Sequence, residues 1–95
     1  MNKYEGIFIL KVSLDNDAQQ KLVEEIKEII TKNKGEIEQV QSWGKRKLAY
    51  PIKKQSEGIY YLIDFKLLPE MVKKIESVLK LNELILRVMT IKKES

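Results

Sequence analysis

The chain has 95 residues, room for one hydrophobic core and too few for two ordinary domains, so one domain over residues 1–95 is expected. It holds no cysteine and no histidine, which excludes disulfides, thiolate nucleophiles, Cys-based zinc sites and imidazole bases. Lys and Arg outnumber Asp and Glu 18 to 14, and the resulting net charge of +4 permits an anionic partner without requiring one.

In chain order, residues 4–12 alternate, with Tyr4, Gly6, Phe8 and Leu10 on one side and Glu5, Ile7, Ile9 and Lys11 on the other, which predicts a first strand. This opening lacks the apolar core and cleavage site of a secretion signal, and no apolar run approaches the ~20 residues of a membrane span, so a soluble intracellular protein with no membrane partner is expected. From Asp15 the period becomes helical: Ala18, Leu22, Ile26, Ile29 and Ile30 recur beside Glu24, Glu25, Lys27 and Glu28, with Asp15 or Asp17 as cap. Asn33-Lys34-Gly35 ends the helix, Gly35 being suited to a left-handed turn.

Residues 36–42 and 48–52 read as extended stretches, and Pro51, which has no N–H for a ladder, assigns the second to a sheet edge or a strand end. A turn over "KKQSEG" leads to "IYYLIDFKL", the most strand-like run in the chain, so a hairpin is predicted. Pro69 opens a second helix with Met71, Val72, Ile75, Val78 and Leu79 as its stripe, and "LILRVMTIKK" is a last strand with a basic end. The order β-α-β-β-α-β is that of an α+β, ferredoxin-like fold: a four-stranded antiparallel sheet with two helices on one face. Alternation puts Ile7, Ile9, Tyr60, Leu62, Met89 and Ile91 on the opposite face, which is too apolar to stay wet and fits a protein partner.

Catalysis has little to work with. No nucleophile stands with a base, no Gly-rich loop cradles phosphate, and no cofactor, metal or small-molecule substrate is expected. Asp64, between Ile63 and Phe65, is the one acid inside an apolar strand, and alternation turns it to the solvent side of the sheet. Acylphosphatases share this topology but need a phosphate-binding turn that is missing here. The expectation is a non-enzyme.

Charge is segregated. Residues 15–38 hold seven acids against four lysines, whereas no acid occurs between Glu38 and Glu57, where Lys45, Arg46, Lys47, Lys53 and Lys54 all lie. Such a polarity would orient the chain on a polyanion; equally, lysines on an exposed hairpin discourage strand-to-strand aggregation. Trp43 and Tyr50 beside these charges can stack on bases or pack on the sheet. Against the third-strand signature of RNA-recognition motifs, "EGIYYLID" keeps Gly58, Tyr61 and Leu62 but loses the basic first residue and the aromatics expected at Ile59 and Asp64. Any RNA contact then belongs to charged edges and ends.

Tyr4-Glu5, "GKRKLAYPIKK" at residues 44–54, Gly58, Tyr60 and "RVM" at residues 87–89 together resemble the S-six (S6) family of bacterial small-subunit ribosomal proteins over essentially the whole chain. The specific part is Arg46, Leu48, Ala49, Tyr50, Pro51 and Ile52. The resemblance implies a non-catalytic ribosomal protein of the cytoplasm that binds the central domain of 16S ribosomal RNA together with the S-eighteen (S18) protein, as a heterodimer. It implies RNA contacts from Lys45, Arg46, Lys47, Lys53 and Lys54 on the hairpin, from Arg87, Lys92 and Lys93 on the last strand, and from Lys3 and Tyr4 on the first. It also leads to an expectation that the first and last strands lie side by side at the centre of the sheet. The competing reading is a ferredoxin-like protein-interaction module that binds no RNA.

Overall fold

Two amphipathic helices fix the layers. The structure, a computed structural model, describes residues 1–93. Helix α1, Asn16–Lys32, starts at Asp15, whose carboxylate accepts the Ala18 N–H at 2.8 Å and satisfies one of the donors that a helix start leaves free. Its buried stripe is Leu22, Val23, Ile26 and Ile30. Helix α2, Pro69–Lys80, begins at a proline, where no intrahelical N–H is lost, and buries Ile75 and Leu79.

The exit of α1 differs from expectation. Lys34, not Gly35, takes the left-handed conformation, at φ 67°. Gly35 is needed for a different reason: a Cβ there would stand 2.9 Å from both the Ile30 and the Lys66 carbonyl oxygens, so only glycine lets the chain enter the next strand so close to its neighbours.

The strands are β1 (Asn2–Leu10), β2 (Glu36–Ile52), β3 (Gln55–Leu67) and β4 (Ile85–Lys92), paired antiparallel in the order β2-β3-β1-β4. The first and last strands are indeed neighbours, but β1 and β3 hold the centre and β4 is an edge, which corrects the expected arrangement. The two extended stretches of residues 36–52 form one long edge strand, with register shifts that absorb its irregular parts.

Register decides the faces. Tyr4 pairs with Phe65, Phe8 with Tyr61 and Leu10 with Ile59, and these residues join Ile26, Ile30, Ile75 and Leu79 in one core beneath the helices. Tyr61 donates its hydroxyl to Gln19 Oε1 at 3.2 Å, so its polar end is satisfied from α1 and its ring is lost to the other face. That other face has no helix over it. Along β1 it runs in rows: Lys3 opposite Lys66, Glu5 opposite Asp64, Ile7 opposite Leu62 and Ile9 opposite Tyr60, while Ile91, Met89 and Arg87 pair with Glu5, Ile7 and Ile9 from β4. No helix among the described residues is long and apolar enough to cross a membrane.

Candidate nucleic-acid interface and partner face

The β2–β3 hairpin carries the basic run, and its shape follows from one irregularity. Lys47 pairs with Glu57 and Ile52 with Gln55, so the four residues Leu48, Ala49, Tyr50 and Pro51 stand opposite Ser56 alone. Extra residues on one strand bend it and raise its twist. Pro51 falls inside this unpaired segment, where its missing N–H costs no ladder bond. Lys53 and Lys54 then close the hairpin in two residues, with φ 49° and 65°, the left-handed pair of a type I′ turn.

The bend carries the tip from the β2 edge across the open face to the opposite edge. There Arg87 on β4 donates to the Tyr50 hydroxyl at 2.6 Å, and Lys53 Nζ donates to the Ile85 carbonyl at 3.2 Å. Gly58 is the floor of the crossing: a Cβ there would overlap Ile9 Cγ2 and lie 3.6 Å from Leu48 Cδ2. Leu48 and Ile9 thus meet over a glycine, and Ile9 is 3% exposed although no helix covers it.

Strand alternation splits the charges that the sequence groups together. Arg46 lies opposite Gly58 on the open face, whereas Lys45 and Lys47 share the side of Ile59 and Glu57. Lys53, Lys80 and Arg87 line a groove of about 390 Å³ beside β4; Lys80 was outside the expected set because its helical position gives no hint of the strand it approaches. Lys3 and Lys93 sit at the other end of the sheet, roughly 20 Å from Ile9 at ~3.3 Å per strand residue. Lys92 pairs with Tyr4 and so points to the helix side, exposed at the end of β4.

Two expected contacts are otherwise engaged. Tyr4 is 6% exposed and stacks on Phe65 with ring centroids 5.8 Å apart, so its ring belongs to the core and is not a surface for RNA. Lys93 Nζ stands 3.2 Å from Asp64 Oδ1, which is buried and makes no aligned hydrogen bond; the contact is an ion pair by distance alone. Asp64 does face away from the helices, as alternation requires, but Lys93 and its neighbours largely cover it.

The six apolar residues of the open face do share that face. Ile9 and Leu62 are already buried within the chain, while Ile7, Tyr60 and Met89 are half-buried and Ile91 is exposed. Acids and cations flank them, with Glu5 and Asp64 on one side and Arg46 and Arg87 on the other. Among the described residues no group of three or more His, Cys, Asp or Glu side chains could hold a metal ion.

Comparison with known proteins gives one consistent result. The family model for ribosomal protein S6 matches residues 3–92. The small ribosomal subunit protein bS6 of Clostridium novyi is 44% identical over 94 residues, covering 99% of each chain. That of Clostridium acetobutylicum is 46% identical over 87 residues, covering 92% of each. The crystal structure of 30S ribosomal protein S6 from Thermotoga maritima superposes with a TM-score of 0.89 at 33% identity, covering 97% of this chain and 87% of that one. The C-terminal domain of MgtC from Mycobacterium tuberculosis, at 11% identity and a TM-score of 0.67, shares the fold alone.

Proposed function

The chain belongs to the ribosomal protein S6 family, and as a structural, non-enzymatic part of the bacterial small ribosomal subunit it works in the cytoplasm; we propose that there it binds the central domain of 16S ribosomal RNA through its basic hairpin, jointly with the S18 protein. The observation that carries this reading is the hairpin's path. In a segment without acids, the hairpin tip is held across the sheet by Tyr50 and Lys53, which sets Lys53 beside Arg87 and Lys80, while Lys45, Arg46 and Lys47 stay on β2, on a chain whose net charge is only +4. Charges on a fixed path meet phosphates at set positions. Lys3 on the open face and Lys92 on the helix side add weaker contributions at the far end, where Lys93 is paired with Asp64.

The S18 protein covers what remains exposed of the open face, chiefly Ile7, Tyr60, Met89 and Ile91, around the buried Ile9 and Leu62. Glu5 beside this strip disfavours RNA there and favours a basic protein, while Asp64, its cross-strand neighbour, is already paired with Lys93. A modest charge gives the isolated chain weak affinity for RNA, and a basic partner on this face enlarges the positive surface.

The test is a titration of central-domain ribosomal RNA with this protein, with S18 and with both, at two salt concentrations. Tighter binding by the pair than by either protein, with affinity falling steeply as salt rises, is the expected result. Equal affinity for one protein and the pair removes the cooperative reading, and no binding by any combination removes the RNA reading.

A further inference from the structure

Trp43 is the only tryptophan in the chain, and the fold leaves it outside the core, 42% exposed at the edge of β2. Ser42 pairs with Tyr61 and Gly44 with Tyr60, so Trp43 is the extra residue of a bulge and opposes no residue of β3. Bulges of this kind re-aim a side chain. Gly44, at φ 77°, makes the bend possible, and apart from its own chain neighbours no atom lies within 4 Å of where a Cβ on it would stand.

The indole is nevertheless held in place. Its Nε1–H donates to Gln41 Oε1 at 3.2 Å, and the Arg46 guanidinium carbon lies over the ring, 5.5 Å from its centroid. The polar atom is thereby satisfied, and the unused feature is a flat apolar surface, oriented in advance, with Arg46 at the ring and Lys45 and Lys47 close by in sequence on the other face of the strand. An indole kept for protein packing would be expected among apolar side chains; this one is held by Gln41 and Arg46, in a stretch with no acid from residue 39 to residue 56.

We propose that Trp43 is a base-stacking residue: one unpaired nucleobase stacks on the indole face turned away from Arg46, while the adjacent cations hold the phosphates on either side. The base must be unpaired, because only a loop or bulge nucleotide offers its whole face to a side chain. Arg46 then has two tasks, fixing the plane of the indole and adding charge beside the stacked base. This inference rests on the RNA reading above and adds to it a single-stranded element in the bound RNA.

Because Trp43 is the sole tryptophan, its emission reports the site directly. This protein with S18 is titrated with central-domain ribosomal RNA, with a short single-stranded RNA and with a blunt RNA duplex of equal charge. The signal is read as the difference from the Trp43→Phe protein, which has no tryptophan of its own. Quenching by the first two probes but not the duplex is expected. Trp43→Ala should weaken binding of the ribosomal RNA by about 5- to 150-fold with an unchanged salt slope, since no charge is removed, and Trp43→Phe should restore most of it. A change in emission on adding S18 alone, with no further change on adding RNA, assigns the indole to the protein interface and overturns the proposal, as does wild-type affinity in Trp43→Ala. If Arg46→Ala with Lys47→Ala weakens binding while Trp43→Ala does not, stacking alone is refuted. If neither does, the hairpin is not the RNA contact, and that part of the RNA reading falls with it.

Discussion

The guanidinium of Arg87 and the hydroxyl of Tyr50 meet at 2.6 Å across 37 positions of sequence, and this bond joins the tip of the β2–β3 hairpin to the opposite edge of the sheet. Both residues are exposed, so the bond adds little to global stability and acts mainly on local shape.

Tyr50→Phe therefore separates shape from stability. The variant keeps the ring and loses the acceptor, and should unfold within about 1.5 kcal/mol of the parent in urea. Amide hydrogens of the hairpin tip should exchange faster while those of β1 and β3 do not. Unchanged exchange at the tip would show that Leu48 and Lys53 suffice to hold it.

Arg46→Ala with Lys47→Ala probes the charges themselves. Exposed cations contribute little to folding, so circular dichroism and the urea midpoint should stay near those of the parent. Affinity of the S18 pair for the RNA should fall, and the slope of log affinity against log salt should lose about one unit for each phosphate contact removed. An unaltered slope would mean that neither side chain meets a phosphate.

At Gly58 the question is space. Gly58→Ala puts a methyl where Ile9 Cγ2 already sits, and a β-branched side chain pinned by Leu48 has few rotamers left to escape to. A loss of about 1–3 kcal/mol is expected from urea unfolding. Ile9→Ala removes the clashing Cγ2, so Gly58→Ala should cost less in an Ile9→Ala chain than in the parent.

The turn offers the opposite sign. Lys54 holds φ 65°, a left-handed conformation that glycine adopts without penalty. Lys54→Gly should raise stability by about 0.5–1 kcal/mol while weakening RNA binding by the loss of one charge. A variant less stable than the parent would show that the lysine has a contact that outweighs its backbone cost.

Much of this was legible in the sequence, for identifiable reasons. Period-two alternation from Tyr4 to Leu10 and the helical stripe from Leu22 to Ile30 report burial directly, and Asp15 and Pro69 mark helix starts through local chemistry. The element order, the helix-covered face and the apolar open face all follow from such short-range signals. Less legible were effects set by distant residues. Whether Tyr4 was core or surface depended on Phe65, its partner across β1 and β3. That Lys45 and Lys47 would part from Arg46 depended on register, and that residues 48–51 would bulge depended on how few residues β3 sets against them. Tyr50 was ambiguous in the sequence, between stacking and packing, because it serves through a partner on β4.

The placement of β4 bears on when the protein becomes competent. Strand β1, at the start of the chain, has β3 on one side and β4 on the other. During synthesis residues 85–92 leave the exit tunnel after β1, β2 and β3, and until they do β1 remains an open edge beside an unfinished core. The same residues include Arg87 and the Ile85 carbonyl, the two groups that hold the hairpin tip. A nascent chain thus has its cations long before it has the geometry that aims them, and a polypeptide released early lacks the anchor on which that geometry depends.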